Sequence, residues 1–82
     1  MNIAPFPNPT SGLCTITFGG DAILAPRIQA TNILGLIVHS EVLHFLDGQH
    51  ECTIDISNQP SGVYILRIET AGSIVTRFLV RE

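Results

Sequence analysis

Apolar and polar side chains alternate along most of this chain, and turn-forming residues interrupt the alternation about every eight to twelve residues. Residues 51–57, for example, read ECTIDIS, with cysteine or isoleucine at every second position. A repeat of two places the apolar set on one face of a β-strand and the polar set on the other. The chain is therefore predicted to fold from short strands, with almost no room for helices.

Six strands follow from this alternation, and a seventh is expected around residues 22–24. A single sheet this apolar would leave one apolar face in water, so the strands are expected to form two stacked sheets. The predicted fold class is all-β, a small antiparallel β-sandwich of immunoglobulin-like architecture with six to seven strands. The six predicted strands cover residues 13–18, 27–31, 36–45, 51–57, 63–70 and 74–81.

Three stretches predict local details of this sandwich. Asn32 to Gly35 provide the residues of a tight reversal between the second and third strands. Tyr64 follows a glycine-containing turn, which predicts a ring in the core and a hydroxyl bonded to nearby backbone. The return strand is expected to be half-buried or bulged because it carries the polar residues His39, Ser40, Glu41 and His44.

The size and charge of the chain limit its partners. Eighty-two residues form one domain, residues 1–82, around one core. With four arginines, no lysine and a net charge of -3, the chain has no basic surface for nucleic acid. Its longest apolar run, residues 33–38, is too short for a transmembrane helix, and its N-terminus lacks the basic region of a secretory signal.

No group of residues has the pattern of a catalytic or metal site. His39 and Glu41 would share one face of a strand and His44 the other, which separates the three. Cys14 and Cys52 are too few for a zinc site, and they are expected to be either buried apolar side chains or one disulfide. We therefore predict no enzyme activity, no cofactor and no bound metal.

Four stretches together carry a family resemblance: PNPTSG (7–12) with Phe6 before it, ATNILGLIV (30–38), IDISNQPSGVYILRI (54–68) and TRFLVR (76–81). In this order the chain resembles, over nearly its whole length, the type A C-terminal sorting domain of the type IX secretion system of Bacteroidetes. It departs from that family by having Leu36 instead of lysine after the hairpin glycine, and arginine instead of lysine in the last strand. The matching turn and core positions are Pro7, Asn8, Pro9, Gly12, Gly35, Asp55, Gly62 and Tyr64.

The resemblance implies a transport signal without catalytic activity of its own. Proteins of that family reach the periplasm by a separate N-terminal signal and are recognised by the outer membrane translocon through this domain. A sortase-like peptidase then usually removes the domain, and the cargo stays on the cell surface or is secreted. The cargo would lie upstream of this chain, and Met1 would be an added start.

The last strand is the expected recognition element, because an exposed end strand offers unpaired N–H and C=O groups to a receptor. The same apolar edges, without lysine, predict a weak homodimer through edge-strand pairing. The residues expected to be recognised by the translocon are Phe78, Leu79, Val80, Arg81 and Glu82.

The alternative function is an interaction, adhesion or spacer module of an extracellular protein. A sugar-binding version of it would need flat, exposed aromatic side chains. It is disfavoured because most of the aromatic residues alternate with core positions. They are Phe6, Phe18, Phe45, Tyr64 and Phe78.

Overall fold

Seven β-strands form two antiparallel sheets in the computed structural model, which describes residues 2–19, 25–44, 51–70 and 72–82. One sheet has the strand order β1-β2-β5, and the other has the order β4-β3-β6-β7. The predicted all-β sandwich is therefore confirmed. The strands are β1 (Asn2–Phe6), β2 (Leu13–Gly19), β3 (Arg27–Thr31), β4 (Ile37–Val42), β5 (Glu51–Asp55), β6 (Gly62–Thr70) and β7 (Ser73–Arg81).

The core lies between the two sheets and is built from the apolar half of the alternation. Removing these side chains from water is the main favourable contribution to folding, at about 25 cal/mol per Å² of apolar surface. Val38, Leu43, Cys52 and Val75 pack against its margin. The buried hydrophobic residues are Ile3, Cys14, Ile16, Phe18, Ile28, Ala30, Ile54, Ile56, Tyr64, Leu66, Ile68 and Leu79.

Strand β1 is not predicted by the alternation, because Pro5 and Pro7 lie in or next to it. In the structure Pro5 lies opposite Ile16, and β1 is an edge strand of its sheet. An edge strand tolerates proline because one side of its backbone has no ladder to form. The strand expected around residues 22–24 lies outside the described residues.

The return strand is shorter than predicted and is bulged. The sequence predicts a strand over residues 36–45, whereas β4 covers Ile37–Val42. The pairing register with β3 shifts between Ala30 and Thr31, which confirms the expected irregularity. His39 and Glu41 are half-buried, and Ser40 is exposed.

The hairpin between β3 and β4 depends on the side chain of Asn32. Its Oδ1 accepts hydrogen bonds from the N–H groups of Leu34 at 2.9 Å and Leu36 at 3.1 Å. Gly35 has a φ of 84°, in the left-handed region that favours glycine. The predicted reversal at residues 32–35 is confirmed.

Gly12, directly before β2, packs against the turn that follows β5. Its φ is 142°, and a Cβ atom built on it would lie 2.6 Å from the Cβ of Ser57. Its carbonyl oxygen accepts a hydrogen bond from the Ile56 N–H at 2.8 Å. Both the backbone conformation and the close approach therefore require a residue without a side chain.

The substitution Gly12→Ala should destabilise the domain by about 2 kcal/mol or more, because the new methyl group overlaps Ser57 in a strained backbone conformation. Urea unfolding of the purified domain measures this. Gly72→Ala is the matched control, since a Cβ there meets nothing within 4 Å, and it should change stability by less than about 0.5 kcal/mol. Equal losses in both variants would contradict the role of Gly12.

Candidate recognition site

The side chain of Asn8 holds the outer edge of β7. Its Nδ2 donates a hydrogen bond to the carbonyl oxygen of Phe78 at 2.9 Å, and its Oδ1 accepts one from the Val80 N–H at 2.9 Å. Pro7 and Pro9 flank it, are exposed, and follow cis peptide bonds. The Asn8 carboxamide therefore pairs with β7 as a peptide group of a neighbouring strand would, with one donor and one acceptor.

Thr10 continues this pairing with backbone groups. Its N–H donates to the Val80 carbonyl oxygen at 2.8 Å, and its carbonyl oxygen accepts from the Glu82 N–H at 2.8 Å. Thr10 is fully buried, and its hydroxyl donates to the Leu13 carbonyl oxygen at 2.6 Å. Residues 8–10, called the front segment below, thus form a short parallel partner for the end of β7.

Arg81 connects the end of β7 to the turn that follows β5. Its Nη2 donates to the Ser57 carbonyl oxygen at 3.1 Å, and its Nη1 donates to the Glu82 carbonyl oxygen. Its buried Nε has no hydrogen-bond partner among the described residues. Ser57 is also the residue against which Gly12 packs, so the front segment, the β5 turn and the chain end meet at one place.

Asp55 stabilises that turn. Its Oδ1 accepts the Ser57 N–H at 2.8 Å. Hydrogen bonds from the Ser57 side chain and backbone hold the pKa of the Asp55 carboxyl below its ordinary value of 3.8. This turn ends β5 two residues earlier than the sequence predicts, because Ser57 leaves the strand direction.

Tyr64 has the structural role that the sequence predicts. Its ring is buried in the core, and its hydroxyl donates to the Pro60 carbonyl oxygen at 2.6 Å. Gly62, two residues earlier, has a φ of 153° and opens β6. Both motif residues therefore fix the entry into β6 and expose no reactive group.

Apolar side chains remain exposed at one end of the outer face of the four-stranded sheet. Phe78 is 65 % exposed and lies opposite Ile65, while Val80 lies opposite Val63. Ile65 is in turn opposite Thr31, which lies opposite Ile37 of β4. We call Val63, Ile65, Phe78, Val80 and Ile37 the apolar strip. The neighbouring hairpin tip adds exposed Ile33, Leu34 and Leu36.

The other end of the same face is charged. Arg67 lies opposite Thr76, and Glu69 lies opposite Ile74. The guanidinium of Arg67 contacts the carboxylate of Glu69 at 3.3 Å. The outer face thus divides into an apolar half next to the chain end and a charged half away from it.

The expectation that the end of β7 offers unpaired backbone is wrong for residues 78–82. The outward carbonyl oxygens of Phe78 and Val80 and the outward N–H groups of Val80 and Glu82 are bonded to the front segment. Leu79 is fully buried. The side chains of Phe78 and Val80 at this end are exposed to solvent.

The exposed aromatic residues also differ from expectation. Phe18 and Tyr64 are buried, but Phe6 is half exposed and Phe78 is the most exposed of the described aromatic side chains. Phe45 lies outside the described residues. Both faces of β7 carry apolar residues, so the alternation in its sequence does not indicate which face points inward.

His39 and Glu41 share one face, as predicted, and their side chains are 2.9 Å apart. His44 is exposed. Among the described residues no three histidine, cysteine or acidic side chains come together as a metal site would require. No helix in the described part of the chain is able to cross a membrane.

Cys14 and Cys52 are free thiols on the inner face of the three-stranded sheet. Cys14 lies opposite Ile54 and Cys52 opposite Ile16, so the thiols are diagonal neighbours, whose Cα atoms are usually about 7–8 Å apart. That is too far for a disulfide without backbone movement. Burial raises the pKa of both thiols, and with the nearby Glu41 it brings Cys52 to about 12.

A family model described as the secretion system C-terminal sorting domain matches residues 4–82 of this sequence. The chain belongs to this family. A sorting domain of this kind is a type IX secretion signal, which directs its protein to the cell surface or into the medium and implies interaction with the secretion machinery. No curated protein matches the sequence significantly.

The sorting domain also has a solved structural neighbour. A crystal structure of a DUF3244 family protein from Bacteroides vulgatus ATCC 8482, described as an immunoglobulin-like β-sandwich, superimposes with a TM-score of 0.79 at 22 % identity. The alignment covers 98 % of this chain and 83 % of that one. This likeness confirms the immunoglobulin-like fold, and a sorting-signal domain is a non-catalytic kind of domain.

Asn8→Asp should destabilise the sorting domain by about 1 kcal/mol, since a carboxylate still accepts from Val80 N–H but cannot donate to the Phe78 carbonyl oxygen. Chemical denaturation at neutral pH gives the difference. Asn58→Asp makes the same chemical change at an exposed position with no described side-chain hydrogen bond, and it should be near neutral. A neutral Asn8→Asp would mean that Asn8 does not hold β7.

Asp55 should make stability depend on pH. Because its pKa is lower in the folded state, it contributes stability that is present above pH 3.8 and is lost as the pH falls through the folded-state value. The stability difference between the wild-type domain and Asp55→Asn should therefore be larger at about pH 6 than at about pH 2. Urea unfolding at both pH values measures it, and a constant difference would contradict the assignment.

Proposed function

We propose that this sorting domain is recognised by the outer membrane translocon through the apolar strip at the end of β7. The observation that supports this is the exposed Phe78 ring, which lies beside Val80, Val63 and Ile65 on a strand end fixed by the front segment. In this proposal the cargo passes through the periplasm, the translocon binds the folded domain, and a sortase-like peptidase removes it after export.

Recognition by the face of β7 fits better than recognition by its edge. Adding a receptor strand to residues 78–82 would first require the front segment to leave, with loss of four hydrogen bonds. The side chains of the strip need no rearrangement. Exposed apolar patches with an aromatic side chain at their centre are typical of protein interfaces.

The five residues expected to be recognised then divide into two roles. Phe78 and Val80 contact the translocon, and Leu79 belongs to the core. Arg81 and Glu82 hold the chain end, through Ser57 and Thr10 respectively. Deleting residues 77–82 would therefore unfold the domain as well as remove the surface, so single substitutions are the better test.

The test fuses residues 2–82 behind a periplasmic reporter in a bacterium that has the type IX system. The wild-type fusion should reach the surface or medium, and Phe78→Ser should reduce export about tenfold or more, the loss of a central interface residue. Ile74→Ser is the matched control because Ile74 lies on the same strand and face and is 59 % exposed, but belongs to the charged half. It should be exported normally.

Several results would contradict the proposal. Normal export of Phe78→Ser would exclude the apolar strip as the recognised surface. A folded wild-type domain that stays in the periplasm would favour the adhesion or spacer alternative. Mass spectrometry of the exported reporter tests removal: a product that still ends at Glu82 would exclude cleavage by a sortase-like peptidase.

A further inference from the structure

Among the described residues, β4 is an edge strand whose middle, residues 39–41, is neither covered by another segment nor interrupted by proline, and its bulge lies nearer the hairpin with β3. β1 contains Pro5, and the end of β7 is covered by the front segment. β5 carries an acidic residue at each end, Glu51 and Asp55. β4 has no proline, lysine or arginine, which are residues that commonly protect exposed edges.

The outward backbone groups of β4 follow from the hydrogen bonds already described. Val80 bonds to the front segment, so its neighbour across the ladder, Val63, directs its backbone groups to β3. The direction of the backbone N–H and C=O groups alternates from residue to residue along a strand. The backbone groups of Ile28 and Ala30 therefore point toward β4, and those of their partners Glu41 and His39 point toward β3. Ser40 lies between these two and directs its N–H and C=O away from the sheet.

The sequence of β4 is complementary to itself in the antiparallel direction. A two-fold axis at Ser40 would pair Ser40 with Ser40 of a second copy through two N–H···O bonds. It would place His39 of each copy opposite Glu41 of the other. Opposite charges or hydrogen-bonding partners that face each other across strands are favourable, whereas like charges are not.

The corresponding arrangement of β5 is unfavourable. A two-fold axis at Thr53 would place Glu51 of each copy opposite Asp55 of the other, so that four carboxylates lie along the shared edge. In the described part of the chain, β4 and β5 are the two edges with neither proline nor a covering segment, and charge complementarity favours β4.

We propose that a second copy of this domain binds at β4, antiparallel about Ser40, to give an eight-stranded sheet across the two molecules. His39 and Glu41, 2.9 Å apart within each copy, form a four-membered network with their counterparts. The pairing is weak because it is one strand long. It leaves Phe78 and Val80 of the apolar strip accessible, since β7 is at the opposite edge of the sheet.

Sedimentation equilibrium of the purified chain, from low micromolar to about millimolar concentration, tests the pairing. The wild-type chain should dimerise, and Ser40→Pro should raise the Kd about tenfold or more, because it removes an outward N–H without breaking a bond to β3. Thr53→Pro removes the outward N–H at the centre of β5 and should leave the Kd unchanged. Circular dichroism confirms that each variant is folded.

A charge exchange makes the test independent of proline. His39→Glu places a new carboxylate opposite Glu41 of the second copy and should weaken the dimer. Adding Glu41→Lys should restore the dimer, because the lysine ammonium group then lies opposite the carboxylate introduced at position 39. A wild-type chain that is monomeric throughout overturns the proposal. So does a dimer that Thr53→Pro disrupts and Ser40→Pro does not, or a double variant that fails to recover.

Discussion

The hydrogen bonds between the front segment and the end of β7 hold together parts of the chain that are about seventy residues apart. β1 belongs to the three-stranded sheet, and β7 belongs to the four-stranded sheet. The front segment leaves the first sheet after Phe6 and pairs with the second one at Thr10. This crossing joins the two sheets by hydrogen bonds at one side of the sandwich. Elsewhere the sheets are held together by packed side chains.

The motif residues Asn8, Gly12 and Asp55 are explained by this crossing. Asn8 supplies a side-chain amide in place of a peptide group, and Gly12 lets the chain pass close to Ser57. Asp55 shapes the turn that brings Ser57 there, and Arg81 bonds to its carbonyl oxygen. Motif positions far apart in the sequence thus act on one junction, and none of them needs to contact a receptor to be required.

Much of the fold could be predicted because alternation with a period of two depends on local sequence. β2, β3, β5 and β6 have one clearly apolar face, and their inward residues follow directly. β1 could not be predicted, since whether Pro5 is tolerated depends on its position at a sheet edge. The inward face of β7 was also beyond prediction, because Phe78 and Val80 are as apolar as Val75 and Leu79. The bonds of Asn8 to β7 are a tertiary contact for which the motif itself gives no partner.

The junction has a consequence for the order in which the chain is made. The front segment is synthesised about seventy residues before its partners at residues 78–82, so the sandwich cannot close until those residues have been made. A chain that stops before Val80 has no acceptor for Thr10 and no donor for Asn8, and Phe78 would lack its fixed position. The exposed surface at the end of β7 therefore exists only after the chain has been synthesised through residues 78–82.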